Sequence, residues 1–411
     1  MSRFLRIICL LLVSQATFAT NTRAQNQSAQ PVLPYGSTPV MQVAPDGVVH
    51  LDGPYANYSN PQYTTPAQAA IGQPVVPQPV LGTGQAGATA DTSFSNYLYN
   101  APIPPQFDHR TGFYGDFLFL RPRNAEVAYA LPIDGPVLPV LGNEVPIGST
   151  AVVDFGYEPG FRAGGTWCLS AESSLAVQYS QFSSNASDSA SINPADGVLR
   201  SLVTHPLGAN AATDALSANA SSSIDYQLID GDYRGQIVGR ESCETMCASA
   251  LNFILGGRYA TMDQDFGANF VAAGTTSVNT NINFNGGGIR FGLEGEQHRT
   301  SRGLFVYGRG VTNILVGEFD ASYRQSNTFA GNQAFTDWSA GRVVPVVDLE
   351  AGIGWVGPMR RFKVSAGYMV SAWFNVVTTD EFIQAVQQSN FVDPSGTLTF
   401  DGLTARVAWE F

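Results

Sequence analysis

Charged residues are scarce in this chain of 411 residues. Asp, Glu, Lys and Arg make up 13% of it, whereas about 25% is usual for a soluble globular domain. Basic residues are the scarcer kind: 21 Lys and Arg stand against 33 Asp and Glu, which gives a formal net charge of −12. Nucleic acid requires a basic footprint on the protein that binds it, so the composition argues against a nucleic-acid partner.

Long apolar runs are also missing. Beyond residue 24 no stretch approaches the roughly 18 apolar residues that a transmembrane helix needs. The chain begins with MSRFLRIICLLLVSQATFA, in which Arg3 and Arg6 precede a short apolar run and small residues follow. This is the pattern of a secretory signal. We expect residues 1–24 to be a signal peptide, removed after Ala19 or Ala24, and the mature chain to be exported.

Residues 25–108 lack any helical or strand period. They are rich in Pro, Gln, Ala and Gly, as in QPVVPQPVLGTGQAG, and they carry few charges. Such a segment buries too little apolar surface to offset the entropy lost on ordering. We therefore expect a disordered or extended periplasmic tether. The alternative is that its Pro-rich stretches bind the cell wall or another partner.

Cysteine and histidine are rare as well. The mature chain has Cys168, Cys243 and Cys247, and the oxidising periplasm permits disulfides. A bridge between Cys243 and either of the others is one expectation, and three free thiols are the alternative. The Cys-x-x-x-Cys spacing has no His nearby and is a weak metal signal. No His shares a predicted strand with a Ser or Asp partner. We expect no metal site, no cofactor and no catalytic residue.

From residue 109 onward the chain shows a recurrent alternation of polarity. In VDLEAGIGW, Val347, Leu349 and Ile353 alternate with Asp348 and Glu350. This period of two is typical of a strand that has different surroundings on its two faces. The apolar faces end in Phe, Tyr or Trp, which fits lipid outside and water inside better than a soluble sandwich. The pattern predicts an all-β fold: a single antiparallel transmembrane β-barrel over residues 109–411.

Ten segments carry this pattern, at about 112–122, 152–168, 173–183, 222–235, 249–261, 279–296, 303–327, 343–356, 360–375 and 397–411. An even number matches single-chain outer-membrane barrels, which have periplasmic termini, short inner turns and long outer loops. The expected outer loops are 123–151, 184–221, 262–278, 328–342 and 376–396. A turn near Gly317 would split one segment, so twelve strands are the alternative. In FNGGGIRF the apolar residues change from even-numbered to odd-numbered positions across the glycines, which predicts a bulge or a bend.

Several stretches resemble a known family. They are FYGDFLFLRP, LNFILGGRYATMDQDF, FNGGGIRFGLEGE, DLEAGIGW and LTFDGLTARVAWEF. They are similar to the Legionella-type pore-forming outer membrane proteins and to the related β-barrel porins of planctomycetes. The resemblance covers about residues 112–411 and leaves out the tether. It implies an outer-membrane barrel and a pore, and it supplies no catalytic residue.

The final stretch, GLTARVAWEF, is a strand with one apolar face. That face consists of Leu403, Ala405, Val407, Trp409 and Phe411. The alternation predicts that these five residues face lipid. The resemblance to outer-membrane barrels implies, in addition, that they form the signal recognised by the barrel-assembly machinery.

Charged residues at the predicted inward positions would line the lumen. They are Asp154, Glu158, Arg162, Arg258, Arg290, Glu294, Asp320, Arg324, Asp348, Glu350, Arg361, Lys363 and Arg406. Opposed charges of this kind order water and set ion preference in a pore. The alternative is that they pair with one another and fill the lumen, because about eight strands leave room only for side chains. Inward glycines such as Gly352 and Gly354 would widen the lumen.

Two functions remain open. The first is a passive outer-membrane pore for ions and small solutes. The alternative is a structural or surface-interaction barrel with a plugged lumen and no transport. Neither is an enzyme. The expected partners are outer-membrane lipid, the barrel-assembly machinery and, through the tether, the cell wall.

Overall fold

A computed structural model describes residues 109–135, 145–207, 215–242, 247–299, 303–357 and 361–411. The predicted signal peptide and tether lie outside these ranges. Within them, no α-helix combines the length and the apolar character needed to cross a bilayer.

The described ranges form thirteen strands and one helix. The strands are β1 (Gly112–Arg123), β2 (Val127–Ile133), β3 (Ala151–Val153), β4 (Glu158–Ser170), β5 (Ser173–Ser191), β6 (Val198–Ser201), β7 (Ser217–Ser242), β8 (Cys247–Val271), β9 (Thr275–Arg299), β10 (Leu304–Asn327), β11 (Gly331–Val356), β12 (Phe362–Val376) and β13 (Gly396–Glu410). The helix is α1 (Thr379–Gln388).

Ten of these strands close into one antiparallel barrel, in the order β1-β13-β12-β11-β10-β9-β8-β7-β5-β4. Each barrel strand pairs with the next one along the chain, and β13 closes the ring on β1, with Phe113 opposite Trp409. The predicted fold class and the strand number of ten are therefore confirmed. The four connections at one rim are all five residues long or shorter, and both ends of the barrel sequence lie at that rim. In an outer-membrane barrel this is the periplasmic rim.

Two of the predicted outer loops, 262–278 and 328–342, are wrong. Strands β8 to β11 continue past the membrane and meet in three-residue turns. At the second turn the Asn327 side chain accepts hydrogen bonds from two backbone N–H groups, at 2.9 and 3.3 Å, and Gly331 has a φ of 67°. Glycine adopts this left-handed conformation without steric cost. The Ser-, Thr- and Asn-rich stretches before these turns pair as strands, although sequence alone reads them as loops.

The other three outer connections build a cap at the outer rim. Strands β3, β2 and β6 form a small antiparallel sheet, and α1 follows β12. The Gln387 amide of α1 donates hydrogen bonds to the carbonyl oxygens of Leu202 (2.6 Å) and Thr204 (3.1 Å). On the barrel wall, the Gln264 amide donates to the carbonyl oxygen of Val377 at 2.9 Å. These amides thus tie the helix to the segment that follows β6, and tie the residues just before the helix to the barrel wall.

Helix α1 forms because its apolar residues recur at helical spacing. Phe382, Ile383 and Val386 lie on one buried face and join the core of the barrel interior. Asp380 and Glu381 occupy the first turn, where negative charge opposes the helix dipole favourably. The helix ends at Gln388, and the next residue, Ser389, caps it in a left-handed conformation with a φ of 52°.

The barrel strands exchange their apolar face about half-way along. In β9, Ile282 and Phe284 point inward and are buried, whereas Ile289 and Phe291 point outward and are 60% and 44% exposed. Pairing of β9 with both neighbours continues without a register shift across residues 286–288. The prediction of a bulge or a bend is therefore wrong in its first alternative, because β9 has no bulge at these glycines. The strand stays regular along its length. Its surroundings change instead: lipid lies outside the half with Ile289 and Phe291, and water lies outside the other half.

The lower half of the outer face, toward the periplasmic rim, is apolar on every strand and forms what we call the lipid belt. Its exposed members include Phe113, Phe117, Phe161, Trp167, Leu175, Val177, Ile229, Tyr233, Phe253, Leu255, Tyr259, Ile289, Phe291, Ile314, Val316, Val343, Ile353, Trp355, Tyr368, Leu403, Val407 and Trp409. An apolar surface that surrounds a barrel completely is the surface that contacts acyl chains. Above the belt the outer face is mostly polar, although Phe335 on β11 is 72% exposed there.

Candidate functional site

At the level of the lipid belt the lumen holds a layer of paired charges, which we call the charged layer. It consists of six arginines and six carboxylates: Arg162, Arg234, Arg258, Arg290, Arg309, Arg406, Asp116, Asp230, Asp232, Glu294, Asp348 and Glu350. The alternation that turns Ile289 and Phe291 toward lipid turns Arg290 inward. The numbers of positive and negative groups are equal, which limits the cost of holding charges away from water.

The pairs of the charged layer reach across the lumen. Arg162 on β4 lies 3.0 Å from Glu350 on β11, and three strands separate β4 from β11 along the barrel wall. Arg258 on β8 lies 2.8 Å from Asp348 on β11, with two strands between them. These guanidinium groups therefore connect non-adjacent walls rather than neighbouring strands.

The centre of the charged layer is Asp230, which is 1% exposed. Its carboxylate accepts a hydrogen bond from Arg258 Nε at 2.6 Å and lies 2.8 Å from Arg290 Nη1. Arg290 also lies 2.9 Å from Asp232. Each acid thus shares its cations with a neighbour, and removal of one arginine leaves more than one carboxylate short of a partner.

Inward glycines make room for aromatic rings instead of widening the lumen. A Cβ atom at Gly352 would lie 2.8 Å from the Tyr307 ring, and one at Gly164 would lie 2.6 Å from the Tyr114 hydroxyl. Tyr307 in turn donates a hydrogen bond to Glu350 at 3.0 Å. Glycine on one strand and tyrosine on the next therefore pack the barrel wall and extend the charged layer.

A second layer, the apolar layer, fills the lumen above the charges. Its members include Phe182, Ile224, Tyr226, Met262, Phe266, Ile282, Phe284, Leu315, Phe319, Val344, Val346, Trp373 and Phe400, with Phe382, Ile383 and Val386 from α1. The rings of Tyr226 and Phe400 meet at 4.9 Å between centroids, and Phe182 and Phe400 meet at 5.7 Å. Phe400 on β13 thus touches strands β5 and β7 on the far wall. The outer half of the barrel has the packed apolar core of a water-soluble barrel.

The periplasmic end carries a smaller cluster. Lys363 Nζ lies 2.5 Å from Glu296 and 4.5 Å from the centre of the Phe305 ring, on which His298 stacks at 4.9 Å. Just before β1, His109 shares a 2.7 Å hydrogen bond with Ser174, and burial lowers the pKa of His109. Ser174 is fully buried, so this Ser–His pair gives no access to a substrate.

The comparison with protein families gives a match over residues 105–411 to the family described as Legionella pneumophila major outer membrane protein precursor. The chain belongs to this family. Family and barrel together assign the chain to the outer membrane. A comparison with curated proteins finds no match.

Solved structures with some similarity are also outer-membrane proteins. A FadL homologue of Pseudomonas aeruginosa shares 8% identity, covers 74% of this chain and 90% of its own, and has a TM-score of 0.21. OmpT of Vibrio cholerae shares 10% identity, covers 73% of this chain and 97% of its own, and has a TM-score of 0.12.

Eight of the charged residues predicted to be inward lie in the lumen of this family member. They are Arg162, Arg258, Arg290, Glu294, Asp348, Glu350, Lys363 and Arg406. Glu158 lies on the inner face of β4 at its outer end, opposite the buried Leu120.

Four of the predicted inward charges lie elsewhere. Asp320 and Arg324 point outward, because the inward positions of β10 are odd-numbered, and Arg324 pairs with the exposed Asp337 at 2.8 Å. Asp154 lies between β3 and β4 and pairs with Arg121 at 2.7 Å. Arg361 is exposed just before β12 at the periplasmic rim. The prediction was wrong for two residues of β10 because the sequence was assigned the wrong set of inward positions there. It was wrong for the other two because they lie outside the barrel strands.

Several inward charges were missed by sequence reasoning: Asp116, Asp230, Asp232, Arg234, Glu296 and Arg309. A signal for three of them is present. In IDGDYR, Asp230, Asp232 and Arg234 alternate with Gly231 and Tyr233, which is the spacing of one strand face. The signal is weak, because one of the outward positions is Gly231, which has no apolar side chain to mark the lipid-facing side of the strand.

The predicted lipid-facing residues of β13 do point outward. Leu403, Val407 and Trp409 are 59%, 49% and 45% exposed, and Ala405 and Phe411 are exposed as well. Their role as an assembly signal stays a prediction.

The disulfide prediction also stays open. The Cys168 thiol is exposed, whereas Cys243 and the side chain of Cys247 lie outside the described part of the chain. Among the described residues, no group of three or more His, Cys, Asp or Glu is placed to hold a metal ion.

Proposed function

We propose that this protein is an outer-membrane barrel with a closed lumen, and that it acts by structure and surface interaction rather than by transport or catalysis. The observation that carries the proposal is the pair of stacked layers that cross the lumen. Arg162 meets Glu350 at 3.0 Å in the charged layer, and Tyr226 meets Phe400 at 4.9 Å in the apolar layer. The cap adds a third barrier at the outer rim.

The energetic argument concerns how often such a lumen opens. Removing one partner from a buried ion pair costs about 3–5 kcal/mol, and each 1.4 kcal/mol changes an equilibrium about tenfold. Separation of even one cross-lumen pair would therefore hold in no more than about one molecule in a hundred. A solute path requires several pairs and the aromatic contacts to separate together, so the closed state dominates.

A passive pore is the second candidate, and one observation favours it. At the level of the lipid belt the inner face is charged rather than apolar, and a charged lining conducts hydrated ions when it is open to water. The two candidates differ only in whether the layers separate under ordinary conditions.

Liposome swelling distinguishes the two candidates. The full chain, refolded and checked by heat-modifiable gel mobility, is reconstituted into liposomes that are then placed in isotonic arabinose. We expect swelling no faster than in empty liposomes, with a general porin as the positive control. Swelling by the wild-type protein at a rate that scales with its amount would reject the closed barrel and leave the pore.

The structural role has its own test in cells. Deletion of residues 25–108, the predicted tether, is expected to weaken the envelope against detergent and osmotic shock while uptake of small solutes stays normal. An intact envelope after this deletion would remove the structural role, whatever the liposome result.

A further inference from the structure

Above the lipid belt the outer wall of the barrel contains a polar groove. Its volume is about 520 Å³, and it runs across β5, β7, β8, β9 and β10. We call it the Asn–Ser groove after its lining, which includes Asn185, Ser187, Ser221, Asn279 and Ser322. A groove of this size accommodates a ligand of a few sugar rings, and pockets of about 300–1,000 Å³ are usual for small ligands.

Five of the hydrogen-bonding side chains of the groove are neutral and available. Within the described part of the chain, the side chains of Asn185, Ser187, Ser221, Asn279 and Ser322 make no hydrogen bond. The two charged groups of the lining, Asp265 and Arg324, are engaged instead. The Asn281 amide donates to Asp265 at 2.6 Å, and Arg324 pairs with Asp337 at 2.8 Å.

This pattern selects the chemistry of the ligand. Amides and hydroxyls offer both donors and acceptors, which match the hydroxyl groups of a sugar. A phosphate requires cations or clustered N–H donors, and the only cation of the lining, Arg324, is paired. The groove therefore fits a neutral, hydroxyl-rich ligand better than an anion.

The height of the groove above the lipid belt indicates the source of that ligand. On β10 the last belt residue is Val316, and Ser322 of the groove follows six positions later. At about 3.3 Å per residue and a tilt of about 40°, that is roughly 15 Å above the acyl chains. On β9 the eight positions from Ile289 to Asn281 give roughly 20 Å by the same geometry. The groove lies on the same outer face of the barrel as the lipid belt, at the depth of glycolipid headgroup sugars.

We propose that the Asn–Ser groove binds the neutral sugars of a glycolipid headgroup from the surrounding outer leaflet. The proposal rests on the placement of the belt in the membrane and is independent of whether the lumen is closed. A failure of sugar binding and a conducting lumen would therefore be separate findings.

Gly267 allows the groove to be filled without disturbing the barrel. A Cβ atom there would lie 3.4 Å from Asn279 Oδ1 and 3.8 Å from Ser221 Oγ, both ordinary contacts, and the position faces outward between those two side chains. Gly267→Gln would thus place an amide in the groove floor. Gly341→Gln is a matched control, because Gly341 also faces outward above the belt, on β11, and its nearest atom is Gly317 O at 3.9 Å.

The experiment uses the full chain, refolded in detergent so that it carries no native lipid. The probe is the core oligosaccharide of a rough-type lipopolysaccharide, deacylated and dephosphorylated, titrated by calorimetry or saturation-transfer NMR. We expect binding by the wild type, at least tenfold weaker binding by Gly267→Gln, and a change below twofold for Gly341→Gln. Asn279→Ala provides a second reading if Gly267→Gln does not fold.

Three results would overturn the proposal. The first is that the wild-type chain does not bind the probe. The second is equal binding by wild type, Gly267→Gln and Asn279→Ala. The third is that inorganic phosphate displaces a phosphorylated core oligosaccharide while the dephosphorylated form does not bind, because the recognised group would then be the anion.

Discussion

The cross-lumen pair of Arg162 and Glu350 gives the sharpest quantitative prediction. Arg162 Nη1 lies 3.0 Å from Glu350 and 3.2 Å from Asp116, and the two side chains of the cross-lumen pair are 8% and 9% exposed. In Arg162→Met, Asp116 keeps Arg406 at 2.7 Å, whereas Glu350 keeps hydrogen bonds from the hydroxyls of Tyr307 and Thr404 but no ion pair among the described residues. In Glu350→Gln the imbalance is reversed.

Each single variant breaks the cross-lumen ion pair and leaves the buried charges unequal in number, so we expect each to lower the free energy of unfolding by about 3 kcal/mol, the low end for a broken buried pair. The double variant is again neutral in net charge. Replacement of a whole buried pair is close to neutral in cost, so we expect the double variant to lose about 2 kcal/mol or less. The coupling energy is then about 4 kcal/mol, well above the roughly 0.5 kcal/mol expected of independent sites.

The assay is urea unfolding of the reconstituted protein, followed by tryptophan fluorescence. The chain offers a matched control in Arg324 and Asp337, which lie 2.8 Å apart but are 50% and 65% exposed. For Arg324→Met and Asp337→Asn the coupling should not exceed about 1 kcal/mol, because exposed pairs contribute little. Additivity of the Arg162 and Glu350 variants within error would refute the idea that the pair bridges a dry lumen.

Three further predictions concern the cap, a glycine and the last residue. Burial raises the pKa of Asp380 in α1, so the folded protein loses stability as pH rises through that raised pKa. The Asp380→Asn variant should not lose this stability. Its melting temperature should therefore exceed that of the wild type at pH 7 but not below about pH 4. A Cβ atom at Gly288 would run into the Ile314 carbonyl oxygen, so Gly288→Ala should yield little heat-modifiable barrel, whereas Gly257→Ala, whose nearest atom is at 3.5 Å, should fold. Deletion of Phe411, whose N–H donates to the Thr111 carbonyl at 2.9 Å, should reduce insertion by the assembly machinery; normal insertion would count against its role as a signal.

The strand number and the course of the barrel were predictable because period two is a local property of the sequence. Each of the ten predicted segments overlaps one barrel strand, although the segment 152–168 begins in β3 of the cap. The phase flip in FNGGGIRF was also visible, but its cause was not. A bulge and a change of surroundings produce the same pattern, and only the unbroken register of β9 distinguishes them.

The contents of the lumen were not predictable in the same way. Which charges pair depends on contacts between strands far apart in sequence, such as Arg162 with Glu350. Inner glycines indicate space, and the sequence does not say that the Tyr307 ring fills the space at Gly352. Helix α1 was missed although Phe382, Ile383 and Val386 have helical spacing, because ten residues inside a predicted outer loop are a short signal.

Single-channel recording in a planar bilayer tests the closed lumen most directly. The full chain is refolded, its barrel verified by heat-modifiable mobility, and its insertion into the bilayer verified separately. We expect the wild type to be silent in 1 M KCl, and we expect conductance only when both layers are opened together, by Phe182→Ala, Tyr226→Ala and Phe400→Ala combined with Arg162→Ser and Glu350→Ser. Uniform conductance steps from the inserted wild-type protein would contradict the account and establish a pore.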